Sequence, residues 1–295
     1  MPNQFLAVIT VNGKDQKGVV AKISTYLAEH GINIEDIDQR VLHGLFVMTM
    51  LVDLRDMTLS LDELITQLLE TGRQIGMEVR VRLHSEKVNK KFAVLVTAES
   101  HCIQQILSDH KEGLYHGDLA AILSNRDSLE PLAREAGIPF ESFPSTNKEE
   151  HESWLLDRLV HHKIELLVLA RYMQILTKRV VGAYESRIIN IHPSLLPYFP
   201  GPNAYKQAYE EGARVCGCTA HFVTEDLDRG PIILQDVFHI DIGRDTVEEV
   251  KMRGRKLEGK VLSKSIQLYL NEELVVTDGK VVFRPGHMRF PLEDE

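Results

Sequence analysis

Residues 92–98, with the sequence FAVLVTA, form an uninterrupted apolar run that has the length of one buried β-strand. Three similar runs follow along the chain: DLAAILSN at 118–125, ELLVLA at 165–170 and RIINIH at 187–192. Helical patterns of about 10–15 residues separate them. Strands that are apolar on both faces and alternate with helices are typical of a parallel sheet covered on both sides. Residues 92–295 are therefore predicted to form a doubly wound, mostly parallel α/β domain.

The end of this domain carries signals for a helix and a hairpin. A long helix is expected to begin at Asp245, with Glu248 three residues later completing a capping box, and to end near Leu270. The pair Asp278-Gly279 predicts the turn of a terminal β-hairpin.

The first 83 residues follow a different pattern, with the predicted order β-α-β-β-α-β. The second helix should start at Ser60, with Glu63 as its capping-box partner. This order is that of the ferredoxin-like split βαβ arrangement. The polar stretch HSEKVNKK at 84–91 is predicted to be a linker. The expected domains are therefore residues 1–83 and 92–295, joined by residues 84–91.

Composition narrows the class of protein. The chain has 295 residues and a net charge of −9, which argues against nucleic-acid or anionic-membrane partners. No apolar run reaches the roughly 18–20 residues of a membrane span. Three cysteines are too few for a disulfide framework and suit the reducing cytoplasm. The composition therefore predicts a cytoplasmic enzyme or regulator.

Polar side chains interrupt the apolar pattern at one strand end. Asn190 and His192 alternate along the strand, so both project to the same side, and Pro193 ends the strand there. In an open parallel sheet, ligands bind at the carboxyl ends of the strands. An amide can donate to an oxyanion, and an imidazole can move protons near neutral pH. Asp228, in the acidic loop that follows residues 219–223, could orient His192 as a triad carboxylate does. The structural alternative is a capping Asn and a hydrogen-bonded core His.

Two blocks around these residues, NIHPSLLPYFPG at 190–201 and TAHFVTEDLDRGPII at 219–233, resemble the formyltetrahydrofolate-dependent formyltransferase family. The resemblance implies 10-formyltetrahydrofolate as the formyl donor and a catalytic trio that falls on Asn190, His192 and Asp228. It also implies two walls of a folate pocket and no permanently bound cofactor. The sequence has no H-E-x-x-H motif and no EF-hand loop, so no catalytic metal is expected. The expected substrate-binding residues of these walls are Arg171, Tyr172, Met173, Ile175, Leu176, His221, Val223 and Asp226.

The N-terminal unit resembles the ACT regulatory domain. The residues that carry this resemblance are Asp15, Gly18, Val19, Val20, Leu27, Gly31, Asn33, Ile34, Asp38 and Gln39. An ACT domain ahead of a formyltransferase domain resembles the formyltetrahydrofolate deformylase family over essentially the whole chain. That resemblance implies that water is the acceptor, giving tetrahydrofolate and formate, and that the reaction balances the one-carbon folate pool for purine synthesis. His192 would then be the general acid and base, Asn190 the oxyanion donor, and Asp228 the group that orients His192.

The segment that follows the first strand of this domain indicates which kind of formyl acceptor the site can bind. The stretch VTAESHC at 96–102 has no glycine to cradle a phosphate, and it carries a carboxylate that would repel one. Glu99 and His101 are therefore expected on the water side of the pocket, against the alternative of a plain helix N-terminus.

Two other functions stay open. HPSLL at 192–196 resembles the pattern of transferases, so the formyl group could instead pass to an amine or a nucleotide. A non-catalytic regulator that binds folate and an amino acid is a further alternative. The candidate effector residues Asp15, Gly18, Asn33 and Asp38 could bind a small amino acid; the structural alternative is that Gly18 and Asn33 serve turns and caps.

ACT units commonly pair, so a homodimer or homotetramer is expected.

Overall fold

The computed structural model describes residues 5–42, 44–83, 89–198 and 203–283. These residues divide into two compact units, one containing residues 5–83 and the other extending from Asn89 to Val281. The second unit begins with a strand at Lys90, inside the stretch predicted as a linker, and residues 84–88 of that stretch lie outside the described residues. No helix in the described ranges combines the length and the apolar character that a membrane span needs.

The first unit has the predicted β-α-β-β-α-β order. Its elements are β1 (Leu6–Lys14), α1 (Val19–Glu29), β2 (Asn33–Leu42), β3 (Leu45–Asp53), α2 (Leu61–Gln74) and β4 (Met77–Leu83). The four strands form an antiparallel sheet in the order β2-β3-β1-β4. Ile23 of α1 and Leu64 of α2 are fully buried in one core with Ile9 and Met48 of the sheet. The capping box of Ser60 and Glu63 is present as predicted.

The second unit contains the predicted doubly wound sheet. Its elements are β5 (Lys90–Val96), α3 (His101–Lys111), β6 (Gly117–Ser124), α4 (Glu130–Glu135), β7 (Phe140–Ser142), α5 (Lys148–His161), β8 (Leu166–Leu169), α6 (Lys178–Ala183), β9 (Ile188–His192), α7 (Ala204–Glu210), β10 (Val215–Phe222), β11 (Ile232–His239), α8 (Val247–Leu270), β12 (Leu274–Thr277) and β13 (Lys280–Phe283). The sheet order is β11-β10-β9-β8-β5-β6-β7. Strands β9, β8, β5, β6 and β7 are parallel, while β10 is antiparallel to both of its neighbours, β9 and the edge strand β11.

Burial on both faces explains the uninterrupted apolar strands. In β5, Phe92 and Val94 pack into a core with Ile103 of α3 and Leu262 of α8. The intervening residues, such as Leu95, pack into a second core with residues of α5. Alternate side chains of a strand point to opposite faces, so covering both faces requires apolar residues at every position.

The N-cap of α8 lies one residue later than predicted. The helix begins at Val247, with Thr246 as N-cap and Glu249 completing the capping box. Both Asp245 and Thr246 have a Glu three residues later, so the sequence fits either register. Asp245 cannot cap because its carboxylate accepts from the Asp241 backbone N–H and pairs with Arg253. The expected cap at Asp245 was therefore wrong, whereas the end at Leu270 and the terminal hairpin at Asp278-Gly279 are confirmed.

Candidate active site

The pairing of β9 with β10 assembles the first part of the site. Asn190 lies opposite His221, and His192 lies opposite Thr219. The amide Nδ2 of Asn190 is 3.2 Å from Nε2 of His221. Asn190 and His192 share a side of the strand because side chains alternate. His221, on the neighbouring strand, is therefore a third polar residue of this site, beside Asn190.

Asp228 completes the cluster from the loop after β10. Its carboxylate oxygen Oδ2 is 3.3 Å from Nδ1 of His192, and Oδ1 is 3.6 Å from Nε2 of His221. Asp228 has a positive φ of 54°, a left-handed conformation that Asp tolerates better than most residues. The loop also folds back so closely that a Cβ at Gly230 would lie 1.7 Å from the Phe222 carbonyl oxygen. Glycine is required there because no side chain fits.

The hydrogen bonds define how the two imidazoles are oriented. Nδ1 of His221 donates to the Phe222 carbonyl at 2.9 Å, so in the neutral ring Nε2 accepts from the Asn190 amide. Nδ1 of His192 faces the Asp228 carboxylate and is the nitrogen that carries hydrogen. Nε2 of His192 is buried and has no hydrogen-bond partner among the described residues. That nitrogen is therefore the one available to a substrate.

The electrostatics of the cluster favour a neutral His192 beside an ionised Asp228. Burial lowers the pKa of His192 below its usual 6.5, and the charge of Asp228 opposes only part of that shift. The neighbouring His221 imidazole lowers the pKa of Asp228, while burial of that carboxyl acts in the opposite direction. An imidazole that is neutral at physiological pH can accept a proton.

The two predicted walls of the folate pocket are loops. The 171–177 loop follows β8, and its Met173 and Ile175 side chains are 58% and 61% exposed. The 224–229 loop follows β10 and exposes Asp226 and Leu227. Tyr172 is instead buried in the core, and Leu176 and Val223 are partly buried against it.

An ion pair joins the two loops at their edges. Nζ of Lys178, directly after the first loop, is 2.6 Å from the Glu225 carboxylate in the second. The two loops that expose these apolar side chains are therefore neighbours in the fold.

A charged cluster that sequence reasoning only partly found lies around Glu258 of α8. Its carboxylate is 3.0 Å from Nε2 of His101 and 3.7 Å from Nε of Arg171. Glu99 pairs with the same two residues, at 3.5 Å each. The Glu258 side chain is only 2% exposed, because it lies on the buried face of α8 together with Gly254, Val261 and Leu262. A lone Glu in such a position was the signal for this residue, because a buried carboxylate is kept only with partners.

Beside Pro193, this cluster lines a cavity of about 120 Å³. Glu99, Arg171, Tyr205 and Glu258 form part of its wall. At about 30 Å³ per molecule, the cavity has room for a few waters.

The cluster also contains three side chains of types that can bind a metal ion. His101, Cys102 and Glu258 place one ligand atom each within 4.8 Å of one another. Burial, however, raises the pKa of the Cys102 thiol well above its usual value, which keeps it protonated. Arg171 already supplies positive charge to Glu258. The donor set therefore fits an ion-pair network better than a metal site.

Of the four candidate effector residues, Gly18 lines a groove of the first unit and the other three lie apart from it. This groove of about 480 Å³ is lined by Gly18 together with Lys22, Tyr26 and Glu29. Asp15, Asn33 and Asp38 do not line it: Asp15 bonds to the Gly44 carbonyl, the Asn33 amide to Glu35, and Asp38 lies 3.9 Å from Arg40. Gly18 adopts a φ of 88° as the N-cap of α1.

Comparisons with known proteins agree with this geometry. Residues 90–266 match the model of the formyl transferase family, and residues 6–82 match that of the ACT domain. Fold and site thus define a formyl transferase domain joined to an ACT domain. The formyltetrahydrofolate deformylase of Bacillus subtilis is 35% identical over 286 residues, covering 95% of this chain and 94% of that protein. The chain belongs to the formyltetrahydrofolate deformylase family.

Solved structures show the same relationship. A formyltetrahydrofolate deformylase from Pseudomonas syringae pv. tomato has a TM-score of 0.87 and 30% identity, covering 96% of each chain. Glycinamide ribonucleotide transformylase 1 from Symbiobacterium toebii has a TM-score of 0.63 and 35% identity, covering 66% of this chain and 94% of that one. The deformylase likeness thus includes both units.

Proposed function

We propose that this protein hydrolyses 10-formyltetrahydrofolate to tetrahydrofolate and formate. The observation that carries the proposal is the His192–Asp228 pair, in which Nε2 of His192 is buried and has no partner in the described part of the chain. The names of the relatives, together with the ACT unit they share with this chain, support water as the acceptor.

In this mechanism the oxygen of a water molecule attacks the formyl carbon while Nε2 of His192 takes its proton. The Asn190 amide has two hydrogens, and the one not given to His221 donates to the developing oxyanion. Asp228 stabilises the imidazolium, which then protonates N10 as the C–N10 bond breaks. The proton transfer is worth about 10²–10⁴-fold and one oxyanion donor about 10²–10³-fold.

Folate binding is assigned to the two loops. Met173, Ile175 and Leu227 expose apolar side chains that a flat pteridine can cover. Arg171, His221, Leu176, Val223 and Asp226 complete the proposed contacts, and Tyr172 acts from the core beneath them.

The acceptor side is assigned to Glu99 and His101, joined by Glu258. Two carboxylates at the cavity wall oppose a phosphate-bearing acceptor, because like charges repel. The same wall also includes Lys206, Lys251 and Arg255, which favours formyl transfer to an anionic acceptor as the second candidate function.

One experiment separates the candidates. The purified full-length protein is incubated with 10-formyltetrahydrofolate and no acceptor, and formate and tetrahydrofolate are measured. Hydrolysis predicts equal amounts of both. Tetrahydrofolate release that depends on an added amine or nucleotide would indicate a transferase, and binding without turnover would indicate a regulator.

Four wider proposals accompany the reaction. Formate release would balance the one-carbon folate pool for purine synthesis. The ACT unit would bind a small amino-acid effector at Asp15, Gly18, Asn33 and Asp38 and pair in a homodimer or homotetramer. The free cysteines Cys102, Cys216 and Cys218 support a cytoplasmic location.

A further inference from the structure

The 171–177 loop is attached at its beginning to His151 of α5. Nε2 of His151 hydrogen-bonds to the Tyr172 hydroxyl, and Nδ1 is 2.7 Å from the Phe143 carbonyl. A carbonyl can only accept, so Nδ1 carries the hydrogen and Nε2 accepts from Tyr172. Burial also lowers the pKa of His151, which keeps the ring neutral. The start of the loop therefore has a fixed donor and a fixed acceptor.

The end of the loop is attached to the next residue of the same helix. Oε1 of Glu152 accepts from the Thr177 backbone N–H at 2.7 Å, and Oε2 accepts from the Thr177 hydroxyl. Thr177 is the N-cap of α6, yet its side chain makes no capping hydrogen bond. A Thr at an N-cap ordinarily uses its hydroxyl for the helix. Here the hydroxyl serves the contact with Glu152 instead.

Between these two attachments the loop presents its apolar side chains outward. Within it, the Met173 backbone N–H donates to Oγ1 of Thr97, the residue directly after β5, at 3.0 Å. Met173 and Ile175 are exposed, and Arg171 enters the loop with a left-handed φ of 61°. Apolar side chains held in water, on a segment anchored at both ends, are typical of a prepared binding surface.

Core packing alone does not explain why a glutamate is buried at position 152. It is 4% exposed, and a buried carboxylate is stabilising only when its oxygens are fully used. Apolar residues of similar volume would pack the helix at least as well. The carboxylate does what an apolar residue cannot, which is to fix one backbone N–H and one hydroxyl of the loop.

From these contacts we propose that His151 and Glu152 are positioning residues that hold the 171–177 loop in its folate-binding conformation. The inference rests on the proposed function of that loop as a wall of the folate pocket. A loop held in its bound shape loses less entropy when the folate binds, so the anchors act on affinity and leave the chemical step unchanged.

The test uses Thr177→Val, which removes the hydroxyl, and Glu152→Gln, which keeps the size but loses one acceptor oxygen. In each variant KM for 10-formyltetrahydrofolate should rise about tenfold while kcat stays within about twofold. Thr177→Ser restores the hydroxyl and should restore KM. Asp157→Asn, at an exposed position of α5, is the matched control and should leave both constants unchanged.

A binding measurement makes the test independent of turnover. Trp154 is the only tryptophan, and its ring centroid lies 5.4 Å from that of His151. Tetrahydrofolate is titrated while Trp154 fluorescence is followed, and its Kd should rise about tenfold in both variants. Unchanged Kd and KM, or a fall in kcat at constant KM, would overturn the inference. A wild-type protein that releases no formate would instead refute the proposed function, and this titration would still test the anchors.

Discussion

Nδ1 of His192 lies 3.3 Å from Oδ2 of Asp228, while Nε2 of the same ring is buried without a partner among the described residues. The carboxylate thus fixes which nitrogen carries the hydrogen. The other nitrogen keeps its lone pair for a proton from substrate or water. This division of roles within one ring is the basis of the first two predictions.

Asp228→Asn should lower turnover of 10-formyltetrahydrofolate by about 10³–10⁴-fold, because the amide neither stabilises the imidazolium nor holds its tautomer. Formate release measures the loss, and circular dichroism checks the fold. Near-normal hydrolysis by a folded variant would show that the role assigned to Asp228 is wrong.

The pH profile should show the lowered pKa of His192. Neutral His192 is the active form, so activity falls as the pH drops through its pKa, which burial places below 6.5. Asp228 raises that pKa, so the residual activity of Asp228→Asn should persist to still lower pH. The measurement is kcat/KM against pH for both proteins, and an acidic limb that moves upward in the variant would contradict the prediction.

Gly230→Ala should destabilise the protein and impair the site together. The new Cβ would lie 1.7 Å from the Phe222 carbonyl oxygen, which accepts the hydrogen bond from His221. We expect a loss of about 1–3 kcal/mol in the free energy of unfolding, measured with urea, and slower formate release. Gly182→Ala is the control: Gly182 lies in α6 with nothing within 4 Å of a Cβ, so stability should stay the same or rise slightly.

Glu258→Ala should cost about 3 kcal/mol of unfolding free energy, because it leaves the charge of Arg171 without its buried partner. Denaturant unfolding measures the change. The comparison variant is Glu225→Ala, which removes an exposed ion pair with Lys178 and should have little effect. Equal stability of the two variants would mean that the cluster around Glu258 is not a buried ion pair in solution.

Most of the fold was predictable because its signals are local. Residues 92–96 are apolar at every position because both faces of β5 are covered, and such runs alternating with helical patterns indicate parallel strands. The same reasoning failed by one residue at α8, where Asp245 and Thr246 present equal capping signals. Only the contacts of Asp245 with Asp241 and Arg253 decide between them.

In the candidate site, the sequence by itself determined that Asn190 and His192 share one side of a strand, because alternation along a strand depends on nothing but position. The tertiary structure alone decided that Glu258 of α8 meets His101 and Arg171, and that His151 and Glu152 hold the 171–177 loop. Such contacts depend on the order of strands in the sheet and on the helices packed against it. Local periodicity determines neither the strand order nor the packing of the helices, so these contacts could not be predicted from the sequence and are seen only in the folded chain.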